Sequence, residues 1–117
     1  MTDSTTIYHN PRCSKSRAAM ELLSDKGIEA NVVKYLDTPP DSDAISEILD
    51  MLGLEPRELM RKGELAYKDN NLADERLTRE QLIDAMVNNP ILIERPIVIK
   101  DGKAAIGRPI ENIIDIL

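Results

Sequence analysis

The sequence predicts one α/β domain in which a βαβ unit is followed by an all-helical insertion and then a ββα unit. Three observations carry that prediction. The chain has 117 residues, the length of one compact core. Short runs rich in β-branched residues alternate with apolar stripes at helical spacing. Asparagine, proline and glycine punctuate the changes of pattern.

Thr5 to His9 reads as the first strand, broken by Asn10 and Pro11. Ser14 to Lys26 is dominated by helix formers, carries Ala19, Leu22 and Leu23 on one stripe and meets a stop at Gly27. Cys13 therefore falls at the N-terminus of the first helix. Asn31 to Leu36 is a second strand, made parallel to the first by a right-handed crossover. After the Pro39-Pro40 turn, Ile45, Ile48, Leu49 and Leu52 recur at helical spacing up to Gly53. Pro56 is expected to open a further short helix through Met60, Arg61 and Lys62, with a polar connection from Gly63 to Asn71. Thr78 and Gln81 have capping-box spacing ahead of Leu82, Ile83, Met86 and Val87, and Pro90 closes that helix. Ile97 to Ile99 is a strand, Asp101-Gly102 supplies the positive-φ pair of a tight hairpin, and Lys103 to Ile106 returns. Ile110, Ile113, Ile114 and Leu117 form a last helical stripe after Pro109. A parallel βαβ half joined to an antiparallel ββα half, with a cysteine at the first helix N-terminus, is the layout of a thioredoxin-like domain spanning residues 1–117.

Composition bounds the function. Hydrophobic residues make up 42% and aromatics only 3%, Tyr8, Tyr35 and Tyr67, so the core must be aliphatic. A net charge of -6 argues against a nucleic-acid partner, which would need a basic face. Any anion must be met by a local basic cluster. Met1 to Tyr8 lacks a basic region followed by an apolar stretch, and no run approaches a membrane span, so a cytoplasmic protein without a membrane partner is expected. A single cysteine precludes an intramolecular disulfide and fits a reducing compartment.

The chemistry centres on Cys13. A thiol reacts as its thiolate, of which only ~3% is present near neutrality at a pKa of ~8.5. Helix N-terminal amides favour the anion, and Arg12, Lys15 and Arg17 put three cations within four residues of it in sequence. Ser16 makes the motif Cys-x-x-Ser rather than Cys-x-x-Cys, so a second thiol must come from outside. A phosphatase-type loop would need arginine six residues after the cysteine, where Ala19 stands. Cys13 and His9 are the only soft ligands, too few for zinc, so no metal site is expected. His9 could orient the loop or hydrogen-bond the thiolate, and Asn10 could bond across the loop or serve as a turn residue.

The run Tyr8-His9-Asn10-Pro11-Arg12-Cys13-Ser14-Lys15-Ser16-Arg17 resembles the active-site signature of the glutaredoxin-coupled arsenate reductase (ArsC) family. Glu58-Leu59-Met60-Arg61-Lys62, Asn89-Pro90-Ile91-Leu92-Ile93-Glu94-Arg95-Pro96-Ile97-Val98-Ile99 and Ile106-Gly107-Arg108-Pro109 extend the resemblance across nearly the whole chain, with wording nearer the YfgD-type branch. The resemblance implies that Cys13 attacks arsenate and that Arg61, Arg95 and Arg108 hold the oxyanion. Guanidinium forks suit that task better than ammonium groups. Arg12, Ser14, Lys15, Ser16 and Arg17 join the site through the signature loop. Arg95-Pro96 ahead of a strand is the thioredoxin-like place for a cis proline beside the thiol, presenting a free backbone group to a partner. No bound cofactor is implied. Glutathione enters as reducing co-substrate and glutaredoxin as the partner that regenerates a lone thiol. Two departures from the family pattern stand out. The chain ends at Leu117, short of the longer resistance enzymes, so product release or docking is expected to differ, and Gly107 replaces a further cysteine found in some relatives. Two other readings compete: an Spx-like regulator that binds RNA polymerase, which Ser16 disfavours by removing the dithiol switch, and a general monothiol oxidoreductase.

Overall fold

The structure, a computed structural model, describes residues 5–117, so the first four residues of the stretch read for a targeting pattern lie outside that range. Among the described residues the backbone forms two compact units, the chain up to Thr38 with Arg95–Leu117, and Pro39–Glu94.

The first unit is built on a four-stranded sheet of β1 (Thr5–Tyr8), β2 (Asn31–Val33), β3 (Ile97–Lys100) and β4 (Lys103–Ile106), in the order β2-β1-β3-β4. β1 runs parallel to β2 with Ile7 opposite Val32, and antiparallel to β3 with Ile7 opposite Val98. Helix α1 (Ser14–Asp25) makes the crossover, and its buried Ala19 and Leu23 join Ile7, Val98, Ala105 and Ile113 in one aliphatic core. The β3–β4 hairpin turns at Asp101 and Gly102, with φ of 52° and 80°, the two positive values that a two-residue type I′ turn requires.

β2 stops at Val33, three residues before the expected end, where its pairing with β1, its one neighbour among the described residues, ends at Tyr8 opposite Val33. Residues 34–38 then turn, with the Asp37 and Thr38 amides both donating to the Lys34 carbonyl at 2.9 Å. The final helix α5 covers only Glu111–Ile114; Ile113 is fully buried whereas Ile114 is 43% exposed, so the predicted stripe is realised in one turn.

In the second unit α2 (Ser42–Leu52) packs on α4 (Arg79–Asn88), with α3 (Leu65–Asp69) between them in sequence. Asp41 caps α2 by accepting from the Ala44 amide, and Gly53 ends it at φ 68°. The Thr78–Gln81 capping box forms in both directions. The helix expected to run from Pro56 through Lys62 is instead a single 3₁₀ turn, Pro56–Leu59. Met60 is extended and forms an antiparallel bridge with Ile93, flanked by Arg61 N–H to the Leu92 carbonyl at 2.7 Å and Glu94 N–H to the Leu59 carbonyl at 2.8 Å. These long-range bonds override the local helical preference. No helix among the described residues is long and apolar enough to cross a membrane.

Candidate active site

Cys13 is the N-cap of α1, with extended backbone at φ -94° and ψ 122°, so its side chain lies over the unpaired amides of the first turn. The neutral sulfur makes no full cap hydrogen bond, as expected of a poor acceptor; the thiolate is what those amides favour. Burial pushes the Cys13 thiol up, yet the Ser16 and Lys15 amides and the hydrogen-bonding Arg95 guanidinium outweigh it and bring the pKa down to about 7. Roughly half of a thiol with that pKa is ionised at neutral pH.

The loop that leads to the sulfur is held by Asn10. Its carbonyl accepts from the Cys13 amide at 3.0 Å, its side-chain oxygen accepts from the Arg12 amide at 3.0 Å, and its own amide donates to the Ser16 hydroxyl at 3.4 Å. Asn10 is therefore a turn residue that also bonds across the loop. Ser16 is fully buried beneath it, where the second cysteine of a dithiol motif would stand.

Two arginines from the far end of the sequence reach the sulfur. Arg108 donates from Nη2 to Cys13 Sγ at 3.6 Å and from Nε to the Arg95 carbonyl at 2.8 Å, which fixes the plane of its guanidinium. The Arg95–Pro96 bond is cis, and so is Arg108–Pro109. The carbonyls on either side of the first are engaged: that of Arg95 accepts from Arg108, and that of Pro96 accepts from the Gly107 amide at 2.9 Å. Both carbonyls that flank the cis bond are thus used internally.

Arg61 lies in the second unit, in an open cavity that it lines with Met60, Lys62, Gly63, Glu64 and Glu94. Its guanidinium is 3.6 Å from Glu64 and 3.8 Å from Glu94.

A match to the ArsC family model covers residues 8–116, from the tyrosine ahead of the Cys13 loop to the penultimate residue. The chain belongs to the ArsC family. It is 53% identical to the uncharacterized protein YfgD of Escherichia coli K12, over 100% of this chain and 99% of that one. It is 52% identical to an arsenate reductase of Neisseria meningitidis, over 95% of this chain and 96% of that one. Among solved structures, an arsenate reductase from Vibrio cholerae superposes with a TM-score of 0.96 at 46% identity over 100% of both chains.

Around this ArsC-type centre, the cations expected to sharpen the thiol do other work. Arg12 and Lys15 are exposed, and Arg17 donates to the Pro11 carbonyl at 3.0 Å, bracing the loop from outside. The lowering comes from the Lys15 and Ser16 backbones and from Arg95 instead. Ser14 opens α1 and is exposed. His9 is 7% exposed, its Nδ1 has no hydrogen-bond partner, and burial followed by Lys34 and Arg17 lowers its pKa. A neutral ring is the result, so His9 supplies no fixed positive charge to the thiolate. Sequence reasoning missed Glu64 and Glu94 as partners of Arg61. The i, i+3 spacing of Arg61 and Glu64 was a legible signal; Glu94 is brought there by the Met60–Ile93 bridge, which leaves no local trace.

Gly107 packs against Pro96. A Cβ placed on it would stand 2.6 Å from Ile113 Cδ1 and 2.8 Å from Pro96 Cγ. A side chain at this position would have to displace the Pro96 ring or the end of the Ile113 side chain.

Proposed function

We propose that this protein reduces arsenate to arsenite with the Cys13 thiolate as nucleophile, glutathione as reductant and glutaredoxin as recycling partner. The observation that carries the reading is a thiol with a pKa of about 7 at a helix N-terminus, with Arg95 and Arg108 both on its sulfur. A thiolate and a dianionic oxyanion repel each other, and two guanidiniums neutralise the approach while matching tetrahedral oxygens with paired N–H donors. The names of the Neisseria and Vibrio relatives support the same substrate. The part of Arg61 as a further oxyanion ligand rests on the family pattern.

In the proposed cycle, the Cys13 sulfur bonds to arsenic and one arsenate oxygen leaves as water after protonation. A glutathione thiolate then attacks the Cys13 sulfur. The S–As bond breaks with its electron pair passing to arsenic, which falls from the +5 to the +3 state and departs as arsenite, leaving a Cys13–glutathione disulfide. The glutaredoxin thiolate takes the glutathionyl group and frees Cys13 as thiolate. Ser16 cannot resolve that disulfide, so the external thiol is a chemical requirement of the reading.

The test is a coupled assay with purified protein, glutathione, glutaredoxin, glutathione reductase and NADPH. Arsenate-dependent NADPH oxidation that disappears in Cys13→Ser is expected. NADPH oxidation that is the same with and without arsenate contradicts the proposal, and turnover of a glutathionylated protein under those conditions would favour the general monothiol oxidoreductase.

A further inference from the structure

A cavity of about 360 Å³ lies in the first unit, lined by His9, Pro11, Arg12, Lys34, Leu36 and Asp37 among others. It sits where the parallel strands β1 and β2 end, the edge of an α/β sheet at which ligands are commonly bound. The His9 amide donates to the Val33 carbonyl at 2.8 Å and fixes the two strand exits together. The turn after β2 keeps Lys34 and Asp37 close, through the Asp37 amide to the Lys34 carbonyl at 2.9 Å.

The charges of this cavity are at odds with the rest of the molecule. The chain carries a net charge of -6, yet here Arg12 and Lys34 face one carboxylate, Asp37, and neither cation enters an ion pair among the described residues. Burial is the first cause of the lowered pKa of His9, and the positive charges of Lys34 and then Arg17 lower it further. A simple dianion is poorly matched, because Asp37 would repel it. A group carrying both a carboxylate and an ammonium is matched on both counts.

We propose that this cavity is a subsite for the γ-glutamyl head group of glutathione, with its α-carboxylate facing Lys34 and Arg12 and its α-ammonium facing Asp37. The cavity adjoins the thiol-bearing loop: the Cys13 amide donates to the carbonyl of Asn10, itself a lining residue, at 3.0 Å. This proposal rests on glutathione being the reductant of the proposed function, and it explains how a monothiol site would hold that thiol without a second cysteine.

The test uses thiol–disulfide exchange, which needs no arsenate. The Cys13 thiolate attacks oxidised glutathione, one S–S bond breaks and another forms, and one glutathione thiolate leaves. The rate is measured on the intact protein by mass spectrometry, alongside the rate with uncharged 2-hydroxyethyl disulfide, and the ratio of the two cancels any change in thiol reactivity. The ratio is expected to fall about fivefold in Lys34→Ala and about threefold in Asp37→Asn, the scale of partly exposed ion pairs. A ratio unchanged in either variant overturns the subsite. A falling ratio in a protein that shows no arsenate turnover would keep the subsite and reject arsenate as substrate, so the two proposals fail separately.

Discussion

The arginines of the first and second units stand in opposite electrostatic settings. Arg95 and Arg108 are directed at a sulfur that is itself half anionic near neutral pH, and Arg108 is additionally locked by the Arg95 carbonyl. Arg61 faces two carboxylates of its own unit, Glu64 and Glu94, at 3.6 Å and 3.8 Å. In the first unit the anion-stabilising geometry exists before any substrate arrives, which is the economical arrangement for electrostatic catalysis. In the second, an oxyanion bound as proposed would compete with charges already present.

The sharpest way to break this comparison is to remove the anion. Cys13→Ser should lower arsenate turnover about a thousandfold or more, to the background of the coupled assay, because no other thiol can take over. Next in size, Arg108→Ala is expected to lower kcat/KM for arsenate by about 10²–10³, the usual cost of losing one preorganised donor. Arg95→Ala should do the same and also shift the pH profile of Cys13 alkylation. In the wild type the rate should climb as pH rises through about 7 and level off above it, since only the thiolate reacts. Without Arg95 the inflection must move upward. Arg61→Ala should act on binding instead, raising KM for arsenate about tenfold with kcat little changed, whereas Glu94→Gln should lower KM about threefold by relieving the competing carboxylate. A kcat effect for Arg61 as large as that for Arg108 would erase the distinction between the two units. The smallest effect is structural: Gly107→Ala should destabilise the fold by about 1–3 kcal/mol in a denaturant titration, as its Cβ displaces Pro96 or Ile113.

Much of the first unit was legible because its signals are local. Asp101-Gly102 dictates its own turn type, and the Ala19 and Leu23 stripe identifies the buried face of α1 from spacing alone. The position of Cys13 as N-cap follows from Asn10-Pro11 ending one element and Ser14 beginning the next. The second unit was less legible where remote partners decide conformation. Pro56 to Lys62 has the local look of a helix, yet Leu59 and Arg61 bond to Glu94 and Leu92, more than thirty residues away, and hold Met60 extended. The same limit applies to the thiol. The sequence suggested that Arg12, Lys15 and Arg17 would activate it because they are near in the chain. Backbone amides and an arginine more than eighty residues away do so instead, while the neighbouring side chains are exposed or brace the loop.

The most direct measurement is the covalent state of Cys13 after incubation with glutathione, with and without arsenate and before any glutaredoxin is added. Intact-protein mass spectrometry should find one glutathionyl group on Cys13 that accumulates only when arsenate is present, and more slowly in Arg108→Ala. An adduct that forms equally without arsenate, or no adduct at all with it, would contradict the assignment of Cys13 as an oxyanion-directed nucleophile.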